Sequence, residues 1–105
     1  MGKEKIIDAV KQYSEQVLKN YPVKMVVLFG SYARGNARDL SDIDIAVVLD
    51  KVEGDFIEVW SELVRLGWDI NSFIEPMLIE DNEKEPNGFL EEILKYGEII
   101  YKKAS

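Results

Sequence analysis

Cysteine and histidine are both absent from the 105 residues of this sequence. Their absence excludes disulfides, thiolate nucleophiles, zinc sites of the Cys/His type, Ser-His-Asp triads and a histidine general base. Apolar runs stop at four or five residues, far short of the roughly 20 needed to cross a bilayer, and no targeting segment is recognisable. We therefore expect a cytoplasmic protein without membrane contact, whose chemistry depends on carboxylates, hydroxyls, lysine and arginine.

Basic residues are also few: 13 Lys and Arg stand against 20 Asp and Glu, for a net charge of −7. This balance argues against direct nucleic-acid binding. The charge is uneven, because residues 1–40 carry seven basic and four acidic side chains, whereas residues 41–105 carry six and sixteen. The sign of the charge changes within residues 38–44, which is the first indication of a site.

Hydrophobic periodicity predicts the elements of the fold. Helical spacing is present in residues 3–20, 56–66 and 89–96, and short apolar runs predict strands over 25–29, 43–49, 69–75 and 99–101. Residues 31–35 are predicted to form one or two helical turns. Gly67 is predicted to cap the second long helix, and Pro76 to limit the third strand.

The length suits one domain, residues 1–105, large enough to bury a core without covalent cross-links. Helices and strands alternate along the chain. We therefore predict an α/β (α+β) fold with a small mixed sheet of about four strands and flanking helices.

Two aspartates stand two positions apart at the start of the second strand, Asp42 and Asp44. Side chains at i and i+2 of a strand point to the same face, so these carboxylates project together while Ile43 is free to be buried. Two adjacent carboxylates repel each other, and a divalent cation such as Mg²⁺ relieves that repulsion. An Asp-x-Asp pair alone is also common as surface charge at strand ends.

A Gly-Ser pair follows the first strand. Gly30 lets a ligand approach the backbone closely, and Ser31 at the start of a helical turn offers N–H and hydroxyl donors to phosphate. Alone, the pair is equally typical of a simple helix cap. Followed by Asp42-x-Asp44 eleven residues after Ser31, it predicts a phosphate cradle beside a carboxylate pair.

Residues 28–35, Leu-Phe-Gly-Ser-Tyr-Ala-Arg-Gly, followed by residues 41–45, Ser-Asp-Ile-Asp-Ile, closely resemble the nucleotidyltransferase superfamily that includes DNA polymerase beta. The pattern looks specifically like the minimal nucleotidyltransferases, which are typically paired in prokaryotes with a HEPN-domain toxin. The resemblance implies an Mg²⁺-dependent enzyme that transfers a nucleoside monophosphate, AMP from ATP, to a hydroxyl of a protein partner. It also implies the role of antitoxin to a HEPN-domain toxin that carries the acceptor tyrosine.

The same resemblance implies the roles of individual residues. Gly30, Ser31 and Arg34 would bind the nucleotide, while Asp42 and Asp44 would bind two Mg²⁺ ions. The family uses a third carboxylate on a neighbouring strand, and Asp69 is the choice made here from the sequence. Asn71 is the other possible match, which would leave the metal site one carboxylate short, and Glu75 lies at the far end of the same predicted strand.

Some positions have more than one interpretation. Arg34 and Arg38 are either phosphate ligands or solvated charge. Trp60 and Trp68 are predicted to face the core or a partner, with stacking on a nucleotide base as the alternative. Tyr32 is a weaker candidate for nucleotide contact or self-modification. The alternative function is a non-catalytic binding module that neutralises its partner by forming a complex.

Overall fold

We describe the protein from a computed structural model, which covers residues 2–35 and 41–104. Arg38 lies outside the described residues. Eight elements follow one another along the chain: α1 Lys3–Asn20, β1 Val23–Phe29, α2 Gly30–Arg34, β2 Ile43–Leu49, α3 Phe56–Trp68, β3 Ile74–Glu80, α4 Gly88–Tyr96 and β4 Glu98–Lys102. α3 and α4 both begin at side-chain caps. The Asp55 side chain accepts from the Glu58 amide, and the Asn87 side chain accepts from the Leu90 amide.

The four strands form one sheet in the order β3-β2-β1-β4. β1 is antiparallel to β2 and β4, whereas β2 and β3 run parallel, so the sheet is mixed as predicted. The end of β1 and the beginnings of β2, β3 and β4 consequently meet at one end of the sheet. The predicted glycine turn and aspartate pair both lie at this end.

Alternate strand residues divide between two apolar cores. Residues such as Leu28, Ile43 and Ile45 pack with α1 and α3 on one face, while Val27 and Ala46 pack with α4 on the other. The buried Tyr13 hydroxyl of α1 donates to the Leu63 carbonyl oxygen of α3 at 2.8 Å, which joins the two helices of the first face. Both faces of the central strands are therefore covered, which fits their nearly continuous apolar sequence.

The third strand differs from its predicted position. α3 continues to Trp68, Asp69 is its C-terminal cap, and β3 begins only at Ile74. Gly67 lies inside the helix. A Cβ at this position would come within 2.9 Å of the Ile74 side chain, so the missing side chain lets α3 pack closely against β3. The prediction that Gly67 ends the helix was therefore wrong.

The prediction that Pro76 limits the third strand was also wrong, because this proline lies inside β3. β3 is an edge strand, and proline is tolerated where no neighbouring strand needs its missing N–H. The outward Pro76 carbonyl oxygen instead accepts a hydrogen bond from the Trp60 indole nitrogen at 3.0 Å.

Candidate functional site

The glycine turn and the aspartate pair are in direct contact. Phe29 pairs with Asp44 across β1 and β2, and Gly30 follows in a left-handed conformation with φ of 72°. A Cβ built on Gly30 would collide with a carboxylate oxygen of Asp44 and lie 3.1 Å from its Cγ. Glycine is required here both by its backbone angle and by the carboxylate that occupies the space of a side chain.

The chain then turns through α2, a five-residue helix with Gly35 as its C-terminal cap, whose φ is 78°. Ser31 and Arg34 lie in this short helix, as the sequence predicts. Tyr32 is buried against the core of the α1 and α3 face, so the turn is anchored from within. Arg34 is exposed, and its guanidinium carbon lies 5.3 Å from the centre of the Tyr96 ring on α4.

Asp42 precedes β2 and Asp44 is its second residue, while Ile43 and Ile45 are fully buried. Both aspartates line the same pocket, as strand alternation predicts. Burial raises the pKa of Asp44 above its ordinary value, and the neighbouring charge of Asp42 raises that pKa further. The pair is therefore held together against its mutual repulsion.

The carboxylate that joins this pair is Glu75. The parallel register of β2 and β3 places Glu75 directly beside Asp44. Desolvation raises the pKa of Glu75, and so do the charges of Asp42 and Asp44 and a side-chain hydrogen bond with Asp42. Three carboxylates thus interact at one end of the sheet: Asp44 of β2, Glu75 of β3, and Asp42 from the loop before β2.

The structure does not bring Asp69 into this cluster. Asp69 is exposed at the C-terminus of α3, five residues before β3 begins, so its predicted position in the third strand is contradicted. Asn71 is in the connecting turn, where its side-chain oxygen accepts from the Phe73 amide at 2.9 Å. From the sequence, Glu75 is only the last residue of a third strand that is predicted to begin too early. The missed signal was the helical spacing that continues from Val64 to Trp68.

The chemistry of the three carboxylates fits a hard divalent cation, which prefers oxygen ligands and would relieve the repulsion among Asp42, Asp44 and Glu75. Within the described residues 2–35 and 41–104, however, no group of three or more acidic side chains is already arranged to hold a metal ion. The chemistry of the donor set is thus suitable, but these carboxylates are not arranged around a metal position.

Two pockets have Phe29 as a shared lining residue. The first, the edge pocket, has a volume of about 460 Å³ and contains Asp42, Asp44 and Glu75 with Trp60, Trp68 and Met77. The second, the α4 pocket, also has about 460 Å³ and is lined by Gly30, Arg34, Phe89, Glu92 and Tyr96. Larger cavities at the opposite end of the strands lack the glycine turn and the carboxylate cluster.

Trp60 and Trp68 are both largely exposed, with 40% and 63% of their surface accessible. They therefore do not belong to the core, whereas contact with a partner or a nucleotide base stays a prediction. Among the residues that the structure covers, no helix combines the length and the apolar character needed to cross a membrane.

A family model for "Polymerase beta, Nucleotidyltransferase" matches residues 4–105. The chain belongs to this family and is a nucleotidyltransferase. A relative from Methanocaldococcus jannaschii named "Putative protein adenylyltransferase MJ0604" is 34% identical over 105 residues, which cover 96% of this chain and 100% of the relative.

Solved structures share the fold. A "putative nucleotidyltransferase" from Sulfolobus solfataricus superposes with a TM-score of 0.71 at 22% identity, covering 96% of this chain and 84% of the other. A chain of a toxin–antitoxin structure with AMP-PNP has a TM-score of 0.63 at 24% identity, covering 98% of this chain and 75% of the other. At these identities the likeness establishes the nucleotidyltransferase fold.

Proposed function

We propose that this chain is a protein adenylyltransferase, which transfers AMP from ATP to a hydroxyl of a partner protein and thereby acts as the antitoxin of a HEPN-domain toxin. The observation that carries the proposal is the contact between the Gly30 turn and the Asp44 carboxylate, with Asp42 and Glu75 beside it. The name of the Methanocaldococcus relative and the toxin–antitoxin neighbour support the choice of a protein acceptor.

In the proposed reaction, the acceptor oxygen forms a bond to the α-phosphorus of ATP. The bond from that phosphorus to the bridging oxygen breaks, pyrophosphate leaves, and the hydroxyl proton passes to solvent. Gly30, Ser31 and Arg34 are proposed to position the phosphates, since Gly30 permits close backbone approach and Arg34 supplies positive charge.

Asp42 and Asp44 are proposed to hold two Mg²⁺ ions together with the nucleotide. Glu75 replaces Asp69 in our proposal as the third carboxylate, because it interacts with both aspartates. Bound there, the ions would lower the pKa of the attacking hydroxyl and neutralise charge on the triphosphate. We further propose that residues 1–105 act as one minimal nucleotidyltransferase domain in the cytoplasm.

Transfer can be tested with ATP labelled at the α-phosphate, Mg²⁺ and the protein encoded beside this chain. We expect label on that protein with the wild-type chain and none with Asp42→Asn/Asp44→Asn. Asp50→Asn is the matched control, because Asp50 is an exposed aspartate immediately after the same strand. Full labelling by the double variant would contradict the proposed chemistry.

The alternative, a non-catalytic binding module, is favoured by one observation. Within the described part of the chain, no group of acidic side chains is already arranged around a metal position. If the wild-type chain forms a tight complex without transferring label, and the double variant binds equally well, the chain acts by docking alone.

A further inference from the structure

The positive charge of Arg34 is held by an aromatic ring. Arg34 lines the α4 pocket together with Gly30 of the glycine turn. Its guanidinium carbon lies 5.3 Å from the centre of the Tyr96 ring, within the roughly 6 Å over which an aromatic face attracts a cation. Among residues 2–35 and 41–104, Arg34 forms no salt bridge with a carboxylate. The contact with Tyr96 therefore restrains the guanidinium without neutralising its charge.

Glu92 also lines the α4 pocket and brings a negative charge to it. Its carboxylate lies 3.0 Å from the Lys95 ammonium on the same helix, and both side chains are exposed. Water weakens such a pair, but Lys95 still offsets the charge of Glu92. The pocket is therefore not strongly positive as a whole, and its attraction for a triphosphate depends on where the Arg34 guanidinium is held.

The position of Tyr96 is fixed by the end of α4, of which it is the last residue. The Gly97 amide donates to the Ile93 carbonyl oxygen at 2.8 Å, and Ile93 is buried against the sheet. A Cβ on Gly97 would lie 2.6 Å from that Ile93 oxygen and 3.1 Å from the Leu28 carbonyl oxygen. The missing side chain thus lets the end of α4 lie directly against β1, two residues before Gly30.

We propose that Tyr96 is a positioning residue, whose ring holds the Arg34 guanidinium beside the glycine turn so that it binds the triphosphate of the nucleotide. This inference rests on the proposed function and adds a residue of α4 to the nucleotide side of that site. A restrained arginine loses less side-chain freedom when a phosphate binds, which is worth roughly two- to tenfold in affinity. Arg34 and the cation proposed at Asp42 and Asp44 act together, because both are positive charges that attract the phosphates.

Isothermal titration calorimetry with a non-hydrolysable ATP analogue and Mg²⁺ measures nucleotide affinity without an acceptor protein. We expect Tyr96→Leu to raise the Kd for the analogue roughly two- to tenfold, whereas Tyr96→Phe and Tyr96→Trp keep a ring and stay close to wild type. Phe56→Leu is the matched control, because Phe56 is an exposed aromatic residue at the start of α3, in a pocket beside Glu80 at the far end of β3. Circular dichroism verifies that each variant is folded.

A double-mutant cycle shows whether Tyr96 acts through Arg34. Arg34→Ala should weaken binding more than Tyr96→Leu does, because it removes the charge itself. Adding Tyr96→Leu to Arg34→Ala should then have little further effect on the Kd, since no guanidinium remains to be positioned. A merely structural role of Tyr96 would instead lower affinity equally in both backgrounds.

Three outcomes would overturn the inference and leave the proposed transfer intact. Equal affinity of wild type and folded Tyr96→Leu would show that the ring does not position Arg34. Tighter binding by Tyr96→Leu would show that the ring withholds Arg34 from the nucleotide. An undiminished effect of Tyr96→Leu in the Arg34→Ala background would show that Tyr96 does not act through Arg34. Failure of the wild-type chain to bind the analogue would instead contradict the proposed function, and this inference with it.

Discussion

Gly30 and Gly35 flank the same short helix and both have positive φ, of 72° and 78°. Only Gly30 has a neighbour in the space of a Cβ, namely the Asp44 carboxylate, whereas nothing lies within 4 Å of that position at Gly35. Substitutions at the two glycines therefore distinguish the cost of backbone strain from the cost of displacing a carboxylate.

We expect Gly35→Ala to lower the free energy of unfolding by about 1 kcal/mol, through backbone strain alone. Gly30→Ala should cost a similar amount in strain and also abolish detectable AMP transfer, because Asp44 must move away from the turn. Urea denaturation and labelled transfer measure the two effects. Equal residual transfer in the two variants would show that the contact between Gly30 and Asp44 has no part in the chemistry.

Glu75 and Asp69 compete for the role of third carboxylate, and the structure distinguishes them by their neighbours. Glu75→Gln should reduce transfer by about 10²-fold or more, since it removes a charge that acts at the reacting groups. Asp69→Asn, at the exposed end of α3, should stay within about twofold of wild type. Initial rates at saturating ATP test both variants. The opposite ranking would restore the choice made from the sequence.

The sequence was sufficient to predict that Gly30 lies beside Asp42 and Asp44, because their proximity depends only on where β1 ends and β2 begins. It was not sufficient for Glu75, whose place depends on where α3 ends. Gly67 is typical of a helix end in sequence, but here it allows α3 to pack against Ile74 and continue to Trp68. Only the tertiary contact reveals this difference.

At the scale of elements, Asp81 connects three parts of the fold. Its side chain accepts from the Asn87 amide at 2.7 Å, at the start of α4, and from the Lys24 ammonium at 3.2 Å, in β1. The hydrogen bond from the Asn87 amide, followed by the hydrogen bond and charge of Lys24, holds the pKa of Asp81 below its ordinary value. The end of β3 is thereby tied to the start of α4 and to β1, two strands away in the sheet.

A lowered pKa in the folded state means that the folded protein binds the Asp81 proton less readily than the unfolded chain does. The stabilisation is fully present above the unfolded pKa of about 4 and is lost as pH falls through the lower folded pKa. Asp81→Asn should thus cost about 1.5 kcal/mol at pH 7, with a smaller difference from wild type near pH 2. Urea denaturation at both pH values tests this, with exposed Glu83→Gln as the control. A difference independent of pH would rule out the ionised form as its cause.

At the scale of the whole molecule, a net charge of −7 adds to the repulsion at the carboxylate cluster. Raised pKa values of Asp44 and Glu75 mean that their charged forms destabilise the folded state. This penalty is present above their folded pKa values and is relieved as pH falls through them. The site therefore lowers stability at neutral pH unless a cation is bound there.

We expect Mg²⁺ to raise the Tm of the wild-type chain, by about 4–8 °C for each kcal/mol of binding free energy in a domain of this size. Asp42→Asn/Asp44→Asn should have a higher Tm than wild type without Mg²⁺ and lose the response to it. Differential scanning fluorimetry, with NaCl at matched ionic strength, separates site binding from general screening. An equal Mg²⁺ response in both proteins would show that the ion acts elsewhere on the surface.

The overall fold followed from the sequence because the apolar runs are distinct and separated by clear helical patterns. The mixed four-stranded sheet was confirmed, including buried Ile43 and Ile45 beside the projecting aspartates. What the pattern could not provide was the identity of the edge strands. Because β3 is an edge strand, Pro76 is tolerated within it and the two tryptophans near its edge stay exposed.

The position of Pro76 in the edge strand β3 has a consequence for aggregation. Unpaired strand edges beside apolar surface are sites where chains stack into amyloid-like fibrils. Here Pro76 offers no N–H to an incoming strand, and the Trp60 indole already occupies its carbonyl oxygen. The edge of β3 at Pro76 is thus a poor template for pairing with a strand of another copy of the chain, although exposed aromatic side chains lie beside it.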